Sequence, residues 1–304
     1  MKGRILVLGS SNVDLILRIP RFHQPGETIA GEDLVTAFGG KGANQAIAAR
    51  RLGGKVVFLT KLGNDSFGKS YRRYLTQKGL PARFLLRDSI LPTGVALIEL
   101  IPKGENRIIV SPGANGALSV EDLVEHRHVW TGARVFVTQL ETPLDTVAKG
   151  LMLAKEKGAL TLLNPAPAVS LPPKVFPLVD FLVPNEGEAQ TLAGMKMKGK
   201  KDLPKMARRL LARGVGNVVI TLGAQGLYFQ NREEEIWMDA FRVKAVDTTA
   251  AGDAFMGALA CGLAEGKPIR EVLRWANAAG ALAATKLGAQ PSLPGKKEVA
   301  EFLR

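Results

Sequence analysis

The amino-acid sequence predicts an α/β fold: a three-layer α/β/α sandwich with a mainly parallel central sheet and a small β-sheet lid. Three observations predict it. Short apolar runs recur along the chain, helix-period segments separate most of them, and two hairpin-like segments interrupt this alternation. Because the apolar runs are continuous rather than alternating, we expect strands that are buried on both faces, as in a parallel sheet covered by helices.

The elements of the central layers follow one another along most of the chain. The apolar runs that predict strands are residues 5–8, 56–60, 135–138, 160–163, 181–183 and 218–222. Helix-period segments such as 144–157 and 205–213 lie between them. Near the C-terminus we expect a strand over 241–246 and then helices over 252–286, where Ala and Gly allow close packing against the sheet.

The lid is predicted from the segments that break this rhythm. Residues 13–19 form one such segment, and residues 94–101 and 107–111 form an antiparallel hairpin around the turn-like residues 102–106. We expect the whole chain, 1–304, to form one domain, with the lid built from residues 13–38 and 92–111 inserted in it. A small layer of this kind suits a lid or a dimer surface.

Composition excludes several classes of protein. The chain has 304 residues, 46% of them hydrophobic, with 33 Gly and 17 Pro, which excludes a disordered or collagen-like chain. Its single cysteine, Cys261, cannot form an intramolecular disulfide or a multi-cysteine metal site, so a reducing, cytoplasmic setting is expected. The apolar run at residues 5–8 is too short for a signal peptide, and there is no stretch of 18 apolar residues, so we expect neither export nor a membrane span.

The charge balance predicts anionic ligands. Lys and Arg number 41 against 28 Asp and Glu, a formal net charge of +13, which suits nucleotide phosphates, phosphorylated substrates or nucleic acid. The densest basic patch, residues 196–201, has no interleaved aromatic residues and is interpreted as a solvated turn between helices. We therefore expect no nucleic-acid binding.

Residues 63–70 match the P-loop pattern G-x-x-x-x-G-K-[ST] and follow an expected strand. Their context favours another interpretation. A phosphate-wrapping loop has no room for a bulky residue such as Phe67, and Asp65 followed by Ser66 is typical of the start of a helix.

A stronger phosphate site is predicted at residues 247–255, where the expected strand 241–246 leads into a helix. The small residues Ala250, Ala251 and Gly252 would let an anion approach backbone amides at a helix N-terminus, which carries partial positive charge. Two interpretations of Asp253 remain open. It is an ordinary helix cap, or it accepts a proton from a hydroxyl that attacks a phosphoryl group.

A second glycine-rich stretch, residues 38–46, opens a helix. It is not a dinucleotide fingerprint, because Gln45 stands where a third glycine is needed and no apolar strand is expected directly before it. One interpretation is a tight turn with close backbone packing. The other is a polyol site in which Lys41 and Asn44 bind hydroxyl groups.

Further polar groups follow the expected strands, at the end where α/β proteins bind ligands. They are Asn12, Asp14, Glu141, residues 185–188 and residues 221–226.

These segments together resemble the ribokinase-like family of carbohydrate kinases, in the family's order across essentially the whole chain. The matching segments are the region around Asp14, 39–45 (GGKGANQ), 140–141 (LE), 164–168 (NPAPA), 184–188 (PNEGE), 221–223 (TLG) and 246–253 (VDTTAAGD). Within the family, GGKGANQ, NPAPA and the run 288–292 (GAQPS) resemble ribokinases rather than fructokinases or adenosine kinases.

The resemblance implies that the protein phosphorylates the 5-hydroxyl of D-ribose with ATP, giving ADP and D-ribose 5-phosphate. It implies that Asp253 is the base and that Ala250, Ala251 and Gly252 with Asp253 form the anion hole. The sugar would be held by Asn12, Asp14, Gly40, Lys41, Gly42, Ala43, Asn44, Glu141 and Asp253. The alternatives are another sugar or nucleoside kinase of the family, for fructose, deoxyribose or adenosine, and a non-catalytic sugar- or nucleotide-binding protein.

The resemblance also implies a nucleotide site, two kinds of metal ion and a partner chain. The nucleotide residues would be Asn185, Thr221, Leu222, Gly223, Ala224, Gln225, Gly226, Gly252, Asp253 and Asn277. Asn185 and Glu188 would organise Mg²⁺ through water, which fits the hydration that Mg²⁺ retains in proteins. A K⁺ ion would lie near Asp247, Thr249, Ala283, Lys286, Gly288 and Ser292. The lid of this family also builds a homodimer.

Overall fold

The structure, a computed structural model, describes residues 3–102 and 105–304. Within this part of the chain a nine-stranded sheet has the order β13-β12-β11-β10-β9-β8-β1-β4-β5. Its strands are β1 (Arg4–Leu8), β4 (Lys55–Gly63), β5 (Leu85–Asp88), β8 (Ala133–Thr138), β9 (Leu160–Leu163), β10 (Phe181–Leu182), β11 (Asn217–Thr221), β12 (Leu227–Gln230) and β13 (Glu235–Met238). All neighbours are parallel except the pairs that β12 makes with β11 and β13.

Helices cover both faces of this sheet, as its continuous apolar strands predict. In β1, Ile5 and Val7 pack into one apolar core while Leu6 and Leu8 pack into another, and all four are at most 1% exposed. Successive side chains of a strand point to opposite faces, so one strand contributes to both cores. The mainly parallel sheet and the three-layer arrangement are confirmed.

Two groups of helices form the outer layers. The first core is covered by α1 (Lys41–Arg51), α2 (Ser66–Gln77), α7 (Ala251–Glu265), α8 (Ile269–Ala283) and α10 (Lys296–Phe302). The second is covered by α3 (Val120–Glu125), α4 (Leu144–Glu156), α5 (Glu186–Ala193) and α6 (Leu203–Ala212). The short helix α9 (Ala289–Ser292) joins α8 to α10. Helix α7 is buried along most of its length, and its small side chains allow α1 and α8 to pack closely against it.

A separate four-stranded sheet, called the small sheet below, has the order β3-β2-β6-β7. Its strands are β2 (Asn12–Arg18), β3 (Leu34–Gly39), β6 (Gly94–Leu100) and β7 (Asn106–Ser111). The hairpin of β6 and β7 is antiparallel, as predicted, whereas β2 pairs with β6 in parallel. Of the predicted turn 102–106, residues 103 and 104 lie outside the described residues, as do residues 1 and 2.

Two expectations near the functional segments were wrong. Residues 241–246 have no strand structure and pair with no strand among the described residues; Phe241 packs on the ring of Phe302, with ring centroids 5.2 Å apart. A strand, β3, does lie directly before α1. It was not expected because it belongs to the edge of the small sheet, where Leu34 and Val35 are 63% and 49% exposed, and not to the buried sheet.

The P-loop pattern at 63–70 forms an ordinary strand-to-helix turn. Asp65 is the N-cap of α2 and accepts the backbone N–H of Gly68 at 2.7 Å. Its carboxylate also accepts the backbone N–H and the hydroxyl of Thr93, at 2.7 and 2.8 Å. A carboxylate therefore occupies the helix N-terminus that a phosphate would need. None of the helices in the described part of the chain has the length and apolar character needed to cross a membrane.

We expect Asp65→Ala to lower the free energy of unfolding by about 2 kcal/mol, because it removes a helix cap and leaves the Thr93 hydroxyl, in a residue only 2% exposed, without this acceptor. Thermal unfolding followed by circular dichroism measures the loss. The matched variant Lys69→Ala changes the exposed lysine of the same pattern and should leave both stability and nucleotide binding unchanged. Loss of nucleotide binding in Lys69→Ala would reinstate the P-loop interpretation.

Candidate active site

The small sheet, α1 and α7 meet beside the carboxyl ends of the central strands. Asp14 lies on β2, Lys41 begins α1, Glu141 follows β8, and Asp253 lies in the first turn of α7. The charge of each of these four side chains acts on the others, and we call the group the carboxylate cluster. Sequence analysis predicted all four as site residues, and the structure brings them together.

Close backbone approach explains the glycines at the start of α1. Gly40 has φ of +88°, and a Cβ atom there would lie 2.7 Å from the backbone nitrogen of Asn12. A Cβ on Gly42 would lie 2.5 Å from the carbonyl carbon of Gly9. Ala43 is fully buried and donates its N–H to the Ser10 carbonyl at 2.9 Å. The tight-turn interpretation of this stretch therefore holds, and it places the next residues of α1 against the carboxylate cluster.

Asp253 is 6% exposed and accepts one side-chain hydrogen bond on each carboxylate oxygen. Asn44 Nδ2 donates to Oδ2 at 2.9 Å, and Gln45 Nε2 donates to Oδ1 at 3.0 Å. Burial raises the pKa of Asp253, while the Lys41 ammonium and the two amide donors act in the opposite direction. The amide oxygen of Asn44, Oδ1, is buried without a hydrogen-bond partner among the described residues.

Burial and the unbalanced charges of the cluster also shift the pKa values of Asp14 and Lys41. Burial and the neighbouring Glu141 and Asp253 raise the pKa of Asp14 to about 7, although Lys41 lowers it. Burial lowers the pKa of Lys41, but the negative charges of Asp253, Glu141, Glu188 and Asp14 outweigh that effect and raise it. At neutral pH the ammonium of Lys41 is therefore charged, and Asp14 is close to half-protonated.

Ser10, Asn115 and Lys41 hold the remaining sugar-site candidates. The Ser10 hydroxyl and the backbone N–H of Lys41 both donate to Glu141 Oε2, the latter at 3.1 Å. Asn115 Nδ2 donates to Asn12 Oδ1 at 2.7 Å. Neither Ser10 nor Asn115 was predicted as a site residue, although Ser10 follows β1 as closely as Asn12 does. Their part in the site depends on hydrogen bonds to Glu141 and Asn12, which are distant in the sequence.

A cleft of about 420 Å³ lies on the other side of the start of α7. Of the predicted nucleotide residues it is lined by Thr221, Gly223, Ala224, Gly226, Gly252 and Asn277. Leu222 is not among the lining residues and is buried in the core, and Asn185, Gln225 and Asp253 do not line the cleft either. The lining residues that sequence analysis missed include Phe241, Val243, Ala245, Gly280 and Ala281. The first three belong to the segment that was interpreted as a strand.

The N-terminus of α7 has the shape of an anion site. Ala250, the N-cap, has φ of +61° and is the one non-glycine residue with positive φ in the described ranges 3–102 and 105–304. Such a conformation costs an alanine about 1 kcal/mol, which the surrounding structure must offset. A Cβ atom added to Gly252 would meet no atom within 4 Å, so this glycine faces open space in the cleft.

Asn185 and Glu188 form a capping box at the start of α5. Glu188 accepts the backbone N–H and the side-chain amide of Asn185, each at 2.8 Å, and Asn185 Oδ1 accepts the backbone N–H of Glu188 at 2.9 Å. Burial raises the pKa of Glu188, against the lowering effects of Asn185 and Lys41. Asn185 lies beside Thr221 through a parallel bridge, at the rim of the cleft.

Asp247 ties together the loops predicted to hold a monovalent cation. Its carboxylate accepts the backbone N–H of Thr249 at 2.9 Å and of Gly288 at 2.8 Å. Ala283 ends α8, and its carbonyl accepts the backbone N–H of Lys286 at 3.2 Å. The predicted residues Asp247, Thr249 and Gly288 are thus adjacent, whereas the Lys286 ammonium points to Glu298 and the Ser292 hydroxyl donates to the Ala289 carbonyl.

The arrangement suits transfer of a charged group between two ligands. A cluster rich in hydrogen-bonding groups lies on one side of the first turn of α7, and an elongated cleft lies on the other. Asp253 faces the first and its neighbour Gly252 faces the second. In the described residues no group of three or more His, Cys, Asp or Glu side chains could hold a metal ion.

Comparison with known proteins gives matches along the whole chain. A family model described as pfkB family carbohydrate kinase matches residues 2–296. A ribokinase of Haemophilus influenzae is 39% identical over 303 residues, which is 100% of this chain and 99% of the relative. A deoxyribokinase of Salmonella typhi is 36% identical over 300 residues, which is 98% of each protein.

The fold is also similar to that of a solved structure. The structure of Arabidopsis thaliana ribokinase complexed with ribose and ATP has a TM-score of 0.92 to this chain, with 32% sequence identity. The match covers 100% of this chain and 99% of that one, so it includes the small sheet, α1 and α7.

We expect Asp14→Asn to gain stability relative to the wild type as the pH rises from 5 to 8. A carboxyl group whose pKa is raised from 3.8 to about 7 binds a proton more tightly in the folded state, so its contribution to stability is lost as the pH rises through that interval. The relative gain between the two pH values should be about 2 kcal/mol, or about 4 °C in melting temperature. Asp33→Asn, at an exposed carboxylate, is the control. A difference between Asp14→Asn and wild type that does not change with pH would contradict this assignment.

Proposed function

The chain belongs to the pfkB family of carbohydrate kinases, and on that premise we propose that it transfers the γ-phosphoryl group of ATP to the 5-hydroxyl of D-ribose. The observation that carries the proposal is the shared start of α7. Gly252 lines the cleft. The adjacent Asp253 belongs to the carboxylate cluster and accepts hydrogen bonds from Asn44 and Gln45 of α1. One helix turn would therefore contact both expected ligands.

The hydrogen-bonding groups of the cluster support a sugar as the acceptor. Asn44 Oδ1 is an unpartnered acceptor in a buried position, and a sugar hydroxyl would supply its missing donor. Asp14, Glu141 and the Lys41 ammonium add acceptors and a donor around it. An analogue that lacks one hydroxyl would leave a buried polar group unpaired, which gives discrimination among sugars.

In the proposed reaction Asp253 takes the proton of the 5-hydroxyl as its oxygen attacks the γ-phosphorus. The bond between the γ-phosphorus and the oxygen that bridges it to the β-phosphate breaks, and ADP leaves with that electron pair. The backbone N–H groups at the start of α7 and the partial positive charge of the helix N-terminus stabilise the negative charge on the transferred group. Lys41, held in the charged form by its neighbours, adds a fixed positive charge nearby.

The residues present fit Mg²⁺ bound through water. Both oxygens of Glu188 and the oxygen of Asn185 already accept hydrogen bonds, so the pair offers outer-sphere contacts rather than a ready set of direct ligands. When bound, Mg²⁺ would neutralise negative charge on the phosphates of the nucleotide. Asn185 and Glu188 would hold the hydration shell at the rim of the cleft.

We also propose that K⁺ binds the loops joined by Asp247. The carboxylate of Asp247, whose pKa is lowered by the N–H groups of Thr249 and Gly288 despite the opposing effect of burial, is a negative centre among loop carbonyls. When bound, K⁺ supplies a positive charge that orders these loops. One of these loops, residues 247–249, leads directly into the anion site at Ala250, so replacing K⁺ with Na⁺ should lower the turnover.

We propose that the chain forms a single domain in which the small sheet acts as a lid, and that the protein is a cytoplasmic homodimer. The small sheet supports the proposal of a homodimer. Exposed apolar side chains lie on both of its edge strands: Leu34, Val35, Ile108, Ile109 and Val110. Apolar patches of this kind on a sheet mark interaction surfaces. Sedimentation velocity at micromolar concentration tests whether the protein is a dimer. The proposed cytoplasmic location is supported by the single cysteine, Cys261, whose buried thiol suits a reducing compartment.

We expect ADP release to depend on D-ribose and to exceed the release with 2-deoxyribose, fructose or adenosine. Each acceptor is tested with Mg²⁺ and ATP, in K⁺ and in Na⁺. Asp253→Asn should lower kcat by about 10²–10⁴ while ribose binding, measured by calorimetry, is nearly preserved. A preference for 2-deoxyribose would move the assignment toward the deoxyribokinase relative, and an absence of turnover with every acceptor would leave a binding protein. Near wild-type turnover in Asp253→Asn would refute the base.

We expect Gly252→Ala to lower kcat by about 100-fold without loss of stability. Its Cβ would meet no protein atom, and alanine is a better helix former than glycine by about 1 kcal/mol, so the variant should unfold at the same or a higher temperature. The methyl group would occupy the space that a phosphoryl group needs at the helix N-terminus. Gly257→Ala is the contrasting variant, because its Cβ would lie 2.5 Å from the Ala48 side chain and destabilise the fold. Unimpaired phosphotransfer in Gly252→Ala would refute the anion site.

A further inference from the structure

Gln45 stands where a dinucleotide fingerprint would have a glycine and closes the run 39–45 (GGKGANQ), and its amide makes three hydrogen bonds in the protein interior. Its side chain is 1% exposed. Nε2 donates to Asp253 Oδ1 at 3.0 Å and to Asn164 Oδ1 at 3.1 Å, and Oε1 accepts the Nε2 of Gln139 at 2.7 Å. Both N–H bonds of the amide are therefore used, and its oxygen is used as well.

The direction of these bonds is fixed by a backbone carbonyl. Asn164 Nδ2 donates to the Val183 carbonyl at 3.0 Å, and a carbonyl can only accept. The Asn164 side chain must therefore present its oxygen to Gln45, and Gln45 must present its nitrogen to Asn164 and Asp253. If the Gln45 amide were reversed, its oxygen would face two acceptors, Asn164 Oδ1 and Asp253 Oδ1, and its nitrogen would face the donor of Gln139.

The two amides that hold Gln45, and the carbonyl that orients one of them, come from three neighbouring strand ends. Gln139 directly follows β8, Asn164 directly follows β9, and Val183 directly follows β10. Gln139 is itself 1% exposed. The position of the Gln45 amide is thus set by the rigid central sheet, while Gln45 itself belongs to α1 and contacts the first turn of α7.

We propose that Gln45 is a positioning residue for the base: its amide, locked by Gln139 and Asn164, holds the Asp253 carboxylate in its ionised form and in a fixed plane. The inference rests on the proposed function of Asp253. Asn44 donates to Oδ2 and Gln45 donates to Oδ1, so the two amides leave one lone-pair direction on each oxygen for a substrate hydroxyl. Gln45 acts through Asp253 and need not touch either substrate.

The electrostatics agree with this geometry. Burial raises the pKa of Asp253, and the hydrogen bond from Gln45 lowers it, together with the Lys41 charge and the bond from Asn44. The other charged groups that act on Asp253 are Glu141 and Asp14, on the segment after β8 and on β2. Substitution of Gln45 leaves all of these in place, so only the contribution of its own donor is removed.

The test compares pH profiles of kcat for wild type and Gln45→Met, a variant of similar length without a donor. We expect the acid limb to move upward by about one pH unit, because one hydrogen bond to a charged group is lost. The loss of kcat should be about tenfold or more below that limb and should diminish at higher pH, whereas a purely structural role would lower kcat equally at every pH. Gln139→Met, which removes only the lock on Gln45, should shift the limb in the same direction by less.

Gln290→Met controls for the loss of a buried amide elsewhere. Gln290 is 1% exposed and donates to the Tyr71 hydroxyl at 2.7 Å, with no contact to Asp253, so its variant should keep the acid limb in place. An acid limb in Gln45→Met identical to that of the wild type overturns the inference. That result is distinct from failure of the proposed function, which would appear as an inactive wild type or a fully active Asp253→Asn.

Discussion

Burial of a carboxylate that must ionise is the constraint on which the rest of this site depends. Asp253 lies almost out of contact with solvent, where its charged form is disfavoured, so the fold surrounds it with groups that favour the charge. Two amides from consecutive residues of α1 donate to its two oxygens, and the ammonium of Lys41 stands at the start of the same helix. Helix α1 can supply all three only because Gly40 and Gly42 let it approach the loop after β1. The glycine-rich stretch thus serves the base as much as any ligand.

Local patterns predicted the parts of the site that depend on local chemistry. The start of α7 was found because small residues before an acidic residue at a helix start are informative in the sequence itself, and Asp14 and Glu141 because they follow buried strands. The hydrogen bonds around Gln45 could not be predicted in this way, because Gln139, Asn164 and Val183 follow three different strands and are adjacent only in the folded sheet. Residues 241–246 alternate between apolar and polar side chains in the manner of a strand, but Phe241, Arg242, Val243 and Ala245 all line the cleft and the segment has no strand structure. The periodicity of apolar residues indicates which side chains face the interior of the protein. It does not indicate whether the backbone N–H and C=O groups pair with another strand.

The two expected ligand sites are built from different parts of the molecule. Asn12 and Asp14 belong to the small sheet, whereas the cleft is formed by the turn after β11, the extended segment before α7, and helices α7 and α8. The first turn of α7 is where the two meet. A displacement of the small sheet relative to the central layers would separate Asp14 from Asp253 without disturbing the cleft. If the protein has the proposed function, a movement of the small sheet would therefore affect the sugar site more directly than the cleft.

The balance of charge explains why the anion site needs several sources of positive potential. Asp14, Glu141, Asp253 and Glu188 act on a single ammonium, Lys41, so the cluster is negative before any phosphate arrives. The +13 charge of the whole chain attracts anions to the surface but is screened over about 10 Å of salt solution, too short a reach to offset charges inside the site. The negative charges inside the site must be offset by nearby groups. These are the proton that Asp14 partly retains near neutral pH, the N-terminus of α7, and the cations expected to accompany the nucleotide. In the proposed function, the phosphoryl group would lie on the cleft side of α7, at the positive end of the helix dipole, and the carboxylates would lie on the side of the hydroxyl that loses its proton.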